Sequence, residues 1–202
     1  LDMQAKSFAV GFRVEHPQSE VNLTQYGSLY AGRLPAAPYK VTANLSSGRG
    51  VYSFCMCPGG YVVNASSEER RIAVNGMSYS DRGSNANSAI IVSVTPEDFK
   101  ADAVRHGELP QDAADMLDAL SGVRFQERLE ARAWQIGNGK IPQQLFGDYC
   151  KNRASVSYGA KVYGSPVFKA GPTAVQNGAT LTCGYKEAKE NASFSGLVKA
   201  FD

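Results

Sequence analysis

Short apolar runs broken by glycine and proline between residues 48 and 80 constrain the fold most. Gly48-Arg-Gly-Val-Tyr-Ser-Phe-Cys-Met-Cys-Pro-Gly-Gly-Tyr61 is an aromatic, β-favouring run that ends at two cysteines. It bends at Pro58, Gly59 and Gly60 and restarts as an apolar run at Tyr61. Proline presets its own φ and glycine tolerates positive φ, so this pattern reads as a β-hairpin over 50–66 with Cys55 and Cys57 beside the bend. Asn75-Gly76 is a second hairpin signal, the preferred pair of a type I′ turn. Such punctuation favours a sheet over a helical bundle.

The rest of the chain fits around that sheet. Residues 7–15 read as a strand emerging from a core, stopped by His16-Pro17. Residues 18–26 form a short helix, with Ser19 as N-cap and Gly27 just past its end. Further strands are expected over 39–45, 71–79 and 88–95, the last buried on both faces because of Ile90, Ile91 and Val92. Thr95-Pro-Glu-Asp98 opens a helix, with a threonine cap, proline at the first position and acids near the positive end of the dipole. That helix ends at Gly107. A longer one starts near Pro110 and runs to Gly137, with Gly122 as a weak point and Trp134 anchoring its end. A third is expected over 142–149. The fold class is therefore α+β: a mostly antiparallel sheet or partial barrel with an inserted helical subdomain at 96–150. The last fifty residues carry aromatic alternation at 157–168, a loop at 170–183 and a weak helix signal at 186–201.

Length and composition narrow the function classes. The chain has 202 residues, 43% hydrophobic and 20% charged, enough to bury one core. A formal charge of +2 gives no concentrated basic face, which argues against a nucleic-acid partner. No run approaches the eighteen apolar residues of a membrane span, and the start lacks a signal peptide's apolar region. It also lacks an initiator methionine and leads straight into Phe8-Ala-Val-Gly-Phe-Arg-Val14, so residues 1–202 read as a single domain cut from a longer protein. Four cysteines do not make a disulfide scaffold and fit a reducing, cytoplasmic setting.

Several residues carry potential chemistry, each with a plainer alternative. In a regular strand Cys55 and Cys57 share a face with Cα atoms about 6.5–7 Å apart, at the edge of disulfide geometry. They are either two small buried residues or a thiol pair. A metal is not expected, because no second paired spacing supplies further ligands. Gly59 and Gly60 serve a bend or the close approach of a flat ligand. Asn75, Gly76, Ser78 and Arg82 belong to a polar series that is either a solvated loop or a ligand-facing one. Arg13, Glu15 and His16 form a set on one strand edge that binds an anion or pairs internally. His106 precedes a helix-ending glycine and reads as structural. The chain has no Gly-x-Gly-x-x-Gly after a strand and no Walker loop.

The segments Phe8-Ala-Val-Gly-Phe-Arg-Val-Glu-His-Pro17, Gly48 to Tyr61, Ala65-Ser-Ser-Glu-Glu69, Val74-Asn-Gly-Met-Ser-Tyr79 and Asn85-Ala-Asn-Ser-Ala89 resemble the middle region of bacterial FAD-dependent dehydrogenases. These flavoproteins are related to the NAD(FAD)-utilising dehydrogenases that carry an inserted domain. The likeness is dense over residues 8–96, continues loosely to Gly147-Asp148, and fades over 165–202. It implies a substrate-side domain that completes a cytoplasmic oxidoreductase, with FAD held mainly by flanking domains and no activity in the fragment alone. It implies that Tyr52, Cys55, Cys57, Gly59, Gly60, Asn75, Gly76, Ser78 and Arg82 face flavin or a small-molecule substrate, with Arg13 and His16 as anion contacts. The catalytic acid and base are unassigned. The competing readings are a stand-alone thiol redox module using Cys55 and Cys57, and a protein- or RNA-binding module using the polar loop at 78–88.

Overall fold

The structure is a computed structural model that describes residues 3–79, 83–110, 118–145 and 167–169. Its elements run β1 (Phe8–Pro17), α1 (Gln18–Tyr30), β2 (Thr42–Asn44), β3 (Gly50–Cys57), β4 (Tyr61–Asn64), β5 (Val74–Met77), β6 (Asn85–Val94), α2 (Pro96–Arg105), α3 (Ser121–Ile136), β7 (Gln143–Leu145) and β8 (Val167–Lys169). A six-stranded sheet has the order β2-β3-β6-β1-β8-β7, and β4 pairs with β5 in a separate two-stranded sheet. Every pairing is antiparallel. The fold is α+β, and neither sheet closes into a barrel.

Strands β1 and β6 form the spine, paired over ten residues from Phe8↔Val94 to Pro17↔Asn85. Alternation along them gives the sheet two faces. Val10, Phe12 and Val14 from β1 and Ile90, Val92 and Val94 from β6 meet Phe99 of α2 and Phe125 of α3 in the main core. The Phe8 ring stacks on Phe99 with centroids 5.0 Å apart, and Phe125 meets Phe8 at 6.2 Å. The helices of the 96–150 segment thus supply rings to the same core as the sheet. Ala9, Gly11, Arg13 and Glu15 lie on the opposite face, where Ala9, Ala89 and Ile91 form a smaller cluster with Tyr52 and Phe54. Gly11 has no room for a side chain, because a Cβ would stand 1.6 Å from the Ile90 carbonyl oxygen.

The start of α2 follows the sequence closely, whereas α1 begins behind Pro17 with no side-chain cap from Ser19, and α3 begins at Ser121, behind Leu120, rather than near Pro110. The Asp98 carboxylate accepts from the Thr95 backbone N–H at 2.8 Å, closing the cap of α2 behind Pro96. Arg49 adds two bonds to the same carboxylate, at 2.7 and 2.8 Å, and donates to Ser93 O at 2.7 Å. That pins α2 to the sheet. Gly27, at φ 71°, interrupts α1, and three more helical residues follow it. Gly122 falls in the first turn of α3, and Trp134 packs near its end against Ile72 and Val74.

Other sequence expectations are corrected. The 50–66 hairpin does not exist: β3 pairs with β2 and β6, so the Pro58–Gly60 bend carries the chain from one sheet to the other. Asn75-Gly76 is not a turn but lies inside β5, with Gly76 opposite Val62. Only Thr42–Asn44 of the 39–45 run is a strand, and Gln143–Leu145 is a strand rather than part of a helix. Strand β1 does not emerge from the core, because Arg13, Glu15 and His16 are all buried. Residues 111–117, Gly147-Asp148 and most of the last fifty residues lie outside the described residues.

Candidate functional site

A polar cluster sits where the small sheet meets the inner face of the large one. Its centre is Arg13, only 1% exposed. Arg13 Nε donates to Asn87 Oδ1 at 2.8 Å, Nη1 to Asn75 Oδ1 at 3.4 Å, and Nη2 to the Cys55 carbonyl at 2.5 Å. Nη2 also lies 3.7 Å from Cys57 Sγ. These acceptors are neutral, and burial pulls the guanidinium below its ordinary pKa, opposed by the nearby thiols and Tyr39. Among the described residues no carboxylate stands within ion-pair distance of Arg13. A buried guanidinium satisfied only by neutral groups leaves a net positive field in a low-dielectric site.

Glu15, two residues on and on the same face, does other work. Its carboxylate accepts from the Val62 N–H at 2.6 Å and from Asn85 Nδ2 at 3.0 Å. Gln18 continues the pattern: its Oε1 accepts from the Gly59 N–H at 2.8 Å and its Nε2 donates to Ala37 O at 3.0 Å. Three polar side chains from β1 and the start of α1 therefore hold the 55–62 connection and the small sheet in place.

A bulge shapes the cysteine pair. Phe54 faces Ala89 and Cys57 faces Asn87, so β3 carries one residue more than β6 across this interval. Cys55 takes up the extra residue at φ 41°, a left-handed conformation unusual for a side chain with a Cβ. Met56 then packs with Val21, Ala37, Tyr39 and Ala86. Cys55 is exposed and Cys57 half-buried, which corrects the reading of two buried small residues. Burial pushes the Cys55 thiol up, against an opposing pull from Arg13. Cys57 Sγ donates to the Cys55 carbonyl at 3.2 Å.

The other predicted residues fall into place around this cluster. Gly76 lies against Arg13: a Cβ there would stand 2.2 Å from Nη2 and 2.3 Å from Asn87 Oδ1. Gly59, at φ 62°, and Gly60 are both buried by the protein itself. A Cβ on Gly60 would meet Met77 O at 2.4 Å and Cys57 Cβ at 2.9 Å, so chain packing accounts for this glycine. Ser78 Oγ donates to Pro58 O at 2.5 Å and ties β5's exit to the bend. Arg82 lies outside the described residues.

His16 does not join Arg13. It sits on the opposite face of β1, stacks near Tyr39 with centroids 5.3 Å apart, and burial pushes its pKa down to about 4. It is neutral at physiological pH. His106 is the helix-terminal residue expected, with Nδ1 2.8 Å from Asp102 O. Tyr52 lies further along the inner face, its hydroxyl 3.2 Å from Ser93 Oγ. Both line an open cleft of about 520 Å³ together with Lys6, Phe8, Gly122 and Gln126. Among the described residues no three His, Cys, Asp or Glu side chains gather as a metal site, and no helix is long and apolar enough to cross a membrane.

Sequence reasoning missed Asn87 as a site residue, placing it in a polar loop when it is fully buried in β6. The signal was present in the alternation of Asn85, Asn87 and Ala89 leading into Ile90, a strand pattern with amides on one face. Residues 7–181 match the family described as FAD-dependent protein, C-terminal domain-like. An uncharacterised protein of Clostridium beijerinckii is 46% identical over 176 residues, covering 85% of this chain and 30% of that protein. The chain thus spans less than a third of that relative's length. By the family match over most of its length, the chain belongs to the FAD-dependent protein C-terminal domain-like family.

Proposed function

We propose that this chain is the substrate-side domain of an FAD-dependent oxidoreductase, working with a flavin-binding part of the same polypeptide and inactive without it. The family supports the link to FAD, and the relative's greater length leaves room for a flavin-binding body outside the matched region. The described residues do not themselves fit the dinucleotide. A pyrophosphate needs unshielded helix N-terminal amides behind a glycine-rich turn. Here the first turn of α1 carries Glu20, α2 is closed by Asp98, and Asp118 accepts from Leu120 N at 2.8 Å ahead of α3. Each places negative charge where a phosphate would sit. FAD held outside these residues would supply the electron or hydride transfer.

What this chain contributes is a shaped polar wall. The inner face runs from the cleft at Tyr52 and Ser93, past Ala9, Ile91 and Phe54, to the Arg13 cluster. Four residue steps along a strand, from Ala9 to Arg13, span about 13–14 Å. The cleft presents the hydroxyls of Tyr52 and Ser93, the Gln126 amide and the Lys6 ammonium, a set suited to a small polar or anionic substrate. The buried Arg13 holds the 55–57 segment from below and keeps the local potential positive. Single polar residues thus fix geometry, and the flavin would bring the redox chemistry.

The observation that carries this reading is the family match over most of a chain whose own helix starts are closed to phosphate. The test is the visible absorption of the native protein compared with that of the 202-residue chain. A flavin spectrum in the whole protein that is absent from the chain is expected. A colourless native protein overturns the flavoenzyme reading. Tyr52→Phe is expected to raise the KM for the substrate that reduces the flavin more than it lowers kcat.

A further inference from the structure

We propose that Cys57 is a reactive thiol, held as its thiolate by Arg13 and oxidised by hydroperoxides to a sulfenic acid. This goes beyond the flavoenzyme reading and does not depend on it. Three observations converge. First, the Arg13 guanidinium is buried with neutral acceptors only, and Cys57 Sγ is 3.7 Å from its Nη2. A charge kept in such a site at the expense of desolvation has an anion as its natural complement, and among the described residues the Cys57 thiol is the ionisable group within its reach. Second, Asn87 stands directly opposite Cys57 in the β3–β6 register, and its Nδ2, fully buried, has no acceptor among the described residues. A buried donor left open beside a cysteine suits an oxygen that arrives on the sulfur. Third, the bulge turns Cys55 outward at φ 41° and points its carbonyl inward, where it accepts from both Arg13 Nη2 and the Cys57 thiol. That local strain positions the pair.

Cys57 gives up to solvent, at the exposed Cys55 edge, the thiol proton that it now donates to the Cys55 carbonyl, and the resulting thiolate accepts from Arg13 instead. The sulfur lone pair attacks the distal oxygen of a hydroperoxide. A sulfur–oxygen bond forms, the oxygen–oxygen bond breaks, and the departing alkoxide or hydroxide takes a proton to leave as alcohol or water. Sulfur is oxidised by two electrons and the peroxide is reduced by two.

The test uses the native protein carrying Cys55→Ser, so that labelling in this peptide reports Cys57 alone. With iodoacetamide, followed by mass spectrometry, Cys57 is expected to react at pH 7 at least about tenfold faster than glutathione and to gain less than about threefold by pH 9. Arg13→Gln is expected to cost about tenfold at pH 7, with Arg13→Lys restoring most of it. After hydrogen peroxide, dimedone should add to Cys57 and fail to add in Cys57→Ser. An ordinary thiol gains more than about tenfold between pH 7 and 9; that behaviour, or equal rates in the Arg13→Gln protein, overturns the proposal. If Arg13→Gln does not fold, the pH dependence of the Cys55→Ser protein decides alone.

Discussion

Arg13 is the residue on which stability and site geometry both depend. Removing it strands the acceptors it serves, Asn87 Oδ1 and the Cys55 carbonyl, inside the protein. Arg13→Ala should therefore lower stability by about 2–4 kcal/mol, since each stranded group costs about 1–3 kcal/mol and a cavity adds to it. A loss below about 1 kcal/mol in urea unfolding would show that the cluster is not satisfied as described. Gly76→Ala attacks the same cluster from the other sheet, because its Cβ would overlap the guanidinium, and should cost about 1–3 kcal/mol. His16 gives a separate pH signal. Its folded-state pKa of about 4 lies below the ordinary 6.5, so the unfolded chain takes up the proton first on acidification. Its contribution is fully present above about pH 6.5 and lost as pH falls toward 4, about 3 kcal/mol in all. Urea midpoints at pH 7.5 and 4.5 should differ accordingly, and His16→Phe should flatten that difference.

At the scale of elements, side-chain carboxylates act as pins. Asp98 closes the α2 cap and receives the Arg49 fork. Burial pushes its carboxyl up, but the Arg49 and Thr95 hydrogen bonds outweigh that and hold it low. Its stabilisation is therefore present above the ordinary carboxyl range and lost as pH falls through the lowered value. Asp98→Ala should cost about 1–3 kcal/mol, read as a lower thermal midpoint. Thr95-Pro-Glu-Asp98 was legible in sequence because a cap is a local device, with every partner within four residues. The pairing of β3 was not legible. A glycine bend gives the same local geometry whether the next strand returns to its neighbour or starts another sheet. The competition is decided by β6, whose Ile90 and Val92 meet Val51 and Phe12 in the core.

Across the whole molecule, the large sheet and the small one differ in how they are held. Strands β1 and β6 are buried on both faces, whereas β4 and β5 have exposed Tyr61 and Met77. The small sheet depends on polar clamps, Glu15 to Val62 and Arg13 to Asn75. Hydrogen exchange should therefore be slowest in β1 and β6, with residues 61–77 opening as a separate, less stable unit. Glu15→Ala should speed exchange in 61–77 while leaving β6 nearly unchanged. Equal acceleration in β6 would mean that the two sheets open as one.

The sequence alone determined the class of the fold, the strand at 88–95, the capped start of α2 and the residues of the 48–61 segment that deserve a functional test. These rest on local propensity, period and capping, which act over a few neighbouring residues. The parting of Arg13 and His16 to opposite faces follows from alternation along β1, but only the tertiary structure decided that Asn87 lies buried beneath a second sheet and that Cys55 and Cys57 differ in exposure. Each outcome depends on contacts between residues distant in the chain, 74 positions apart for Arg13 and Asn87, and on a bulge that resets the face of every residue after it. Period and propensity carry no information about which distant strand arrives, and that arrival gives a buried arginine its partners.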